Sequence, residues 1–262
     1  MKMVSMSVKR RALVLLAWLL TLTATAGCVS ASPAERAARS AGRLNIVTAF
    51  YPLQFVAQRV AGEHATVANL TQPGAEPHDL ELTPRQVASL TTAVLVIYEK
   101  GFQPAVDEAV LQSENPEVID TTTAVPLRPL TVSADEPGRG AGAGDDHLAL
   151  DPHVWLDPTA MSRIAQGVES RLVIIDPAHA ADYAHNTRLL EMDLRKLDRS
   201  FRTGLRNCVR TEFITTHAAF GYLAERYHLT QIGISGLNPD SEPSPARIAD
   251  VQRIAQEYRL TT

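Results

Sequence analysis

Three histidines, His78, His153 and His217, stand where side-chain chemistry is readily assembled. His78 lies in 73-PGAEPHDLELTP-84, beyond a strand expected near residues 67–70, with Pro77 stiffening the approach. His217 directly follows the strand expected over 212–216, in 215-TTHAAFGYLAERY-227. In an open parallel sheet, ligands collect just outside the carboxyl ends of the strands, which is where both side chains are expected. His153 sits in 150-LDPHVWLDP-158, bracketed by two Asp-Pro pairs. Each proline fixes its own φ and biases the preceding aspartate away from helix. The pattern predicts an extended segment with His153 and Trp155 on one side and Val154 and Leu156 on the other. Neutral imidazole is the commonest ligand for zinc and other borderline metals, so the trio points to a metal site. The separations, 75 and 64 residues, exclude a finger or ribbon, in which ligands come in close pairs. Tertiary structure must therefore assemble such a site.

The other histidines have plainer surroundings. His64, His179, His185 and His228 fall in or beside helical patterns among polar neighbours and are expected as surface or capping residues. His147 lies beside Asp145 and Asp146 in an acidic loop and is at most an auxiliary metal contact. Three protein ligands plus water is also the arrangement of catalytic zinc, so a metallohydrolase is a competing class. It would need a general base, for which Glu76, Asp79 and Glu81 are nearest in sequence, and no HExxH pattern raises them above surface acids.

The elements that must position these residues alternate between strand and helix. Strands are expected at 44–50, 67–70, 93–98 and 118–120, with a helical pattern over 51–63, an alternation that means parallel sheet. Residues 131–149, rich in Gly and acids, predict a surface loop. A long helix is expected over 176–204, with Asp176 as N-cap, Pro177 at N1 and Gly204 just past its end. Tyr183, Leu190, Leu194, Leu197 and Phe201 would form its apolar face. The alternation resumes with strands at 212–216 and 230–235, a helix at 218–227, and a helix opened by Ser244 and Pro245 with Ile248, Val251, Ile254 and Tyr258 inward. The fold class is α/β: two open parallel-sheet lobes joined by a long rigid helix. A second lobe with two strands is small for a sheet, and the chain is expected to continue beyond Thr262.

The amino terminus carries a different signal. Lys9, Arg10 and Arg11 precede an uncharged apolar run, Ala12 to Leu22, too short to span a bilayer and suited to a secretory signal peptide over residues 1–27. The stretch 25-TAGC-28 resembles a lipobox, with Thr25 where leucine is usual, so both lipidation of Cys28 and plain cleavage stand open. Residues 28–42 read as a tether, 43–175 as the first lobe, 176–204 as the linking helix and 205–262 as the second lobe. Either processing route places the protein outside the cytoplasm, lipid-anchored at the membrane or periplasmic. Loss of residues 1–27 removes four basic groups and no acids, leaving 21 basic against 29 acidic residues, a formal charge of −8. That argues against nucleic acid as a partner, which requires a basic face. With Cys28 assigned to lipid, Cys208 is either a buried inert thiol or one whose partner lies beyond this sequence.

The phrases PGAEPHDLELTPRQV, DPHVWLDP, IIDPAHAADYAHN, ITTHAAFGYLAERYHL and ISGLNPDSEPSPARI, in that order and spacing, resemble the metal-specific solute-binding proteins of ABC importers, the zinc-uptake group in particular. The resemblance runs from about Leu44 to the last residue. It implies a metal held between the lobes by His78 and His153 from the first and His217 from the second, Zn(II) as cargo, no catalysis, a membrane permease as partner, and a monomer. Manganese-type members of the group usually carry glutamate at the position of His217; a third nitrogen favours zinc over manganese or iron. The family commonly adds an acidic ligand from later in the second lobe, beyond this sequence, and often a His-rich loop where residues 131–149 hold only His147. A surface adhesin of the same fold is a further alternative.

Overall fold

The computed structural model describes residues 42–129 and 150–260. The expected signal peptide, Cys28, the expected tether up to residue 41, and the stretch with His147 lie outside the described residues. Among the described residues, no helix is long and apolar enough to cross a membrane.

Four short strands, β1 (Leu44–Thr48), β2 (Ala65–Asn69), β3 (Leu95–Tyr98) and β4 (Val118–Asp120), form a parallel sheet in the order β2-β1-β3-β4. The crossovers are made by α1 (Tyr51–Ala61), α2 (Pro84–Thr92) and α3 (Pro104–Ser113). All four residues of β3 are buried, as expected of a central parallel strand covered on both faces. Each of the three helices has proline at N1 or N2, where the missing N–H costs nothing. Thr83 closes a capping box on α2, its Oγ1 accepting from the Gln86 N–H while the Gln86 side chain accepts from the Thr83 N–H.

A two-residue antiparallel pair, β5 (Arg128–Pro129) with β6 (Leu150–Asp151), precedes the His153 segment. Two helices then pack on each other and on α1: α4 (Pro158–Ile175) and α5 (Ala180–Leu205). Helix α4 is absent from the expectations above, which take Pro158 only as a restraint. Pro158 is in fact N1 of this helix, and the Asp157 carboxylate accepts from the Thr159 N–H as its cap, 2.7 Å away. Its buried face is Ala160, Met161, Ile164, Ala165, Val168 and Leu172. Gly62 ends α1 at φ 57 and ψ −132, a backbone conformation open mainly to glycine, and a Cβ there would meet Asn186 Nδ2 of α5 at 2.9 Å.

The long helix differs from expectation at both ends. Residues 177–179 form a 3-10 turn, and the Asp176 carboxylate does not cap the backbone. It accepts instead from His179 Nδ1 at 2.7 Å and from the Tyr183 hydroxyl at 2.6 Å. Gly204 lies inside the last turn, since α5 runs to Leu205. Tyr183, Leu190 and Leu194 are buried as expected, whereas Leu197 is 46 % exposed because the helix has by then left the first core. Phe201 stacks on Tyr227 of the second lobe instead.

The second lobe holds β7 (Glu212–Thr215) and β8 (Thr230–Gly233), paired in parallel, with α6 (Gly221–Tyr227) between them and α7 (Pro245–Glu257) after. Ser244 caps α7 as expected, accepting from the Arg247 N–H at 3.1 Å. Its inward face is narrower than the periodicity suggests: Val251 is buried, but Ile248 and Tyr258 are exposed. Only two strands lie beneath it among the described residues, so there is little sheet for a wide face to cover. Cys208, after the end of α5, is an exposed free thiol, which overturns the buried alternative.

Candidate metal centre

The fold brings the three candidate histidines together. His78 sits in the loop between β2 and α2, His217 follows the last residues of β7, and His153 comes from the turn before α4. Ring centroids are 5.3 Å apart for His78 and His153, 5.5 Å for His153 and His217, and 5.9 Å for His78 and His217. One nitrogen from each ring lies within 4.8 Å of the other two, and no other such trio of potential ligands occurs among the described residues. Zinc–nitrogen bonds of about 2.0–2.1 Å in a tetrahedral site require nitrogens about 3.4 Å apart.

His153 is the anchor of the group, only 1 % exposed. The Asp151 carboxylate accepts from its backbone N–H at 3.0 Å and from ring Nδ1 at 2.8 Å. A carboxylate can only accept here, so the proton sits on Nδ1 and Nε2 presents a lone pair. That Nε2 is buried with no hydrogen-bond partner. An unpaired buried acceptor between two further imidazoles is what a cation would satisfy.

The local backbone corrects the expectation of an extended segment. His153 has φ −78 and ψ 40, and Val154–Leu156 form a 3-10 turn. The Val154 N–H donates to the Pro152 carbonyl at 2.7 Å and the Leu156 N–H to the His153 carbonyl at 3.2 Å. These bonds, with the Asp151 side chain folded back on His153, curl a stretch that proline restraint alone would leave extended. Trp155 still lies beside His153, ring centroids 5.1 Å apart.

An aromatic wall backs the site. Phe102 meets His78 edge-on at 4.7 Å, and Phe50, Phe102 and Trp155 touch one another with centroids 4.7 to 5.1 Å apart. Burial, and then the electrostatic influence of His153, lower the pKa of both His78 and His217 despite an opposing pull from Glu76. Both therefore favour the neutral, ligating form. The Glu76 carboxylate accepts from the His78 backbone N–H at 3.2 Å. Interaction with the Asp240 carboxylate of the second lobe is the leading cause that raises the pKa of Asp79.

The remaining histidines stay outside the trio. His64 stacks on His179 at 3.9 Å and bonds Asp182 at 2.9 Å, His185 is exposed, and His228 ends α6 in a left-handed conformation at φ 57. Sequence reasoning missed Asp151, although an aspartate two residues before a turn residue is a recognisable Asx pattern. It also missed Asp240, for which no local signal exists.

Comparison with known proteins identifies relatives of the whole chain. The model of the family described as "ZnuA: Zinc-uptake complex component A periplasmic" matches residues 46–262. The chain is 30 % identical over 239 residues to the high-affinity zinc uptake system protein ZnuA of Bacillus subtilis, covering 90 % of this chain and 74 % of that protein. It is 32 % identical over 229 residues to the zinc-binding lipoprotein AdcA of Streptococcus pneumoniae, covering 84 % of this chain but only 44 % of the relative. Among solved structures, the Zn(II)-bound ZnuA-like domain of Streptococcus pneumoniae AdcA superposes with a TM-score of 0.68 at 31 % identity, over 84 % of this chain and 77 % of that one. The laminin-binding protein Lmb of Streptococcus agalactiae, described as bifunctional with adhesin and metal-transporting activity, gives 0.69 at 27 % identity, over 83 % and 78 %. With the match spanning both sheets and all three histidines, this chain belongs to the ZnuA family of periplasmic zinc-uptake complex components.

Proposed function

We propose that this chain captures Zn(II) outside the cytoplasm and delivers it to the membrane permease of an ABC importer, as a carrier without catalysis. The observation that carries the reading is the unpartnered, buried Nε2 of His153 facing two imidazoles whose neutral form is favoured. His78, His153 and His217 are the ligands in this reading. Three nitrogens leave one position of a tetrahedron for water or a further donor and match zinc better than manganese. Residues 43–175 and 205–262 act as the two lobes, with 176–204 as the linking helix. Cys28 serves as the lipid attachment, His147 makes at most auxiliary contacts, and the protein works as a monomer.

Titration of the metal-free protein with zinc at pH 7.5 tests the assignment. One tightly held ion is expected, with His217→Ala losing at least about 100-fold in affinity and His64→Ala losing none. Equal losses in both variants would relocate the site. Hydrolysis of ester or peptide substrates that disappears with the metal would replace the carrier by an enzyme.

A further inference from the structure

The turn that carries His153 is gripped at both ends by one face of a helix from the other lobe. At its start, the Tyr222 hydroxyl of α6 donates to the Asp151 carbonyl at 3.0 Å and accepts from the Arg128 N–H at 3.1 Å. Arg128 and Asp151 are register partners in the β5–β6 pair, so this one hydroxyl closes the end of that ladder. The Arg128 guanidinium also lies over the Tyr222 ring at 4.0 Å and pairs with Glu225. At the far end, Arg226 donates through Nη1 to Thr159 Oγ1 at 3.0 Å, and its Nε pairs with Asp157 at 3.2 Å and with Asp198 of α5 at 2.7 Å. Tyr222 and Arg226 are four residues apart and share a face of α6.

The fit at the near end leaves no room for a side chain on Gly221. A Cβ there would stand 2.7 Å from Asp151 Oδ2, on the carboxylate whose other oxygen holds His153. His217 is tied to the same lobe: it lies four residues before α6, and its carbonyl accepts from the Ala219 N–H at 3.0 Å and from Gln231 Nε2 at 3.0 Å. The helix that follows one ligand thus holds the segment bearing another.

We propose that Tyr222 and Arg226 are positioning residues of the metal site: together they clamp residues 151–159 and hold His153 at its working distance from His217 before the ion arrives. Neither residue touches the ion. Each acts through the segment it grips, Tyr222 by way of Asp151 and Arg226 by way of the Asp157–Thr159 cap of α4. The proposal rests on the zinc-capture reading but concerns residues that reading does not assign.

The test compares Tyr222→Phe and Arg226→Gln with Tyr183→Phe in the full chain. Tyr183→Phe also deletes a buried tyrosine hydroxyl bond, to Asp176, and leaves the clamp alone. In the metal-free proteins, amide hydrogen exchange over residues 151–159 is expected to quicken in the first two and stay unchanged in the third. With metal, the first two should bind zinc about tenfold or more weaker in chelator competition and show a shifted Co(II) d–d absorption. Tyr183→Phe should match the wild type in both. Wild-type affinity and cobalt spectrum in Tyr222→Phe would overturn the proposal, as would an equal loss in Tyr183→Phe. Unchanged exchange overturns the clamp itself, whereas a wild-type chain that holds no zinc overturns the capture reading.

Discussion

Asp151 decides what His153 can do. Its carboxylate accepts from Nδ1–H and so leaves Nε2 as a bare acceptor in a buried place. Replacement by asparagine keeps the shape but removes the charge that favours the proton on Nδ1 and offers an amide nitrogen that can donate to it, so the tautomer protonated on Nε2, which blocks the ligand position, gains population. Asp151→Asn is expected to weaken zinc binding by about 10–100-fold with little effect on the metal-free fold. Long-range proton–nitrogen correlation spectra of the metal-free variant should show the changed tautomer, and an unchanged one with unchanged affinity would remove Asp151 from the site. At this scale the sequence was informative about residue types and silent about partners. Types and loop positions singled out His78, His153 and His217, while nothing local marks Tyr222 or Arg226, whose partners in the first lobe lie 67 to 94 residues away.

Helix α5 serves two cores in succession. Tyr183, Leu190 and Leu194 pack into the first, and Asp198 and Phe201 then engage Arg226 and Tyr227 of the second. Burial disfavours the Asp198 carboxylate, but bonds from Arg226 and Arg202 outweigh it and lower its pKa. Leu190, 0 % exposed, should cost about 2–5 kcal/mol when cut to alanine, through lost burial and the cavity left behind. Leu197 lies in the same heptad-like series but is 46 % exposed, so Leu197→Ala should stay within about 1 kcal/mol. Urea unfolding of the two variants measures both, and equal costs would mean that the far half of α5 is buried in solution. Periodicity revealed this helix but not its change of partner, since a regular apolar spacing does not say which core receives each turn. Helix α4 went unread because Asp157 and Pro158 serve equally well as a rigid turn and as a helix start; packing against α1 and α5 selects the second.

The whole molecule places its three candidate ligands where two lobes meet, so in the proposed site protons and metal compete for groups from both. Because His78 and His217 have lowered pKa values, they stay neutral below the ordinary value near 6.5. Zinc affinity should therefore hold as pH falls to about 6.5 and decline below it. Three ordinary imidazoles would lose about 1000-fold by pH 5.5, and the expected loss here is smaller. The same shifts act on folding without metal. The unfolded chain takes up protons on these two rings first, so stability is full above 6.5 and falls as pH drops from there through the lower folded-state values. Calorimetric zinc titrations at pH 7.5, 6.5 and 5.5 check the binding; equal affinities throughout would mean that carboxylates, not imidazoles, dominate.

Local patterns alone determined that the chain is α/β with parallel sheet and that three histidines rather than eight were candidates for a metal. These follow from periodicity, charge and the position of loops relative to strands, all of which are short-range properties. Tertiary structure decided the rest. It curled the His153 segment into a turn, set Asp151 against the ring, converted Pro158 from a restraint into a helix start, and brought α6 across to grip that turn from the other lobe. Each of these depends on contacts between residues distant in the chain, whose energies no local spacing encodes.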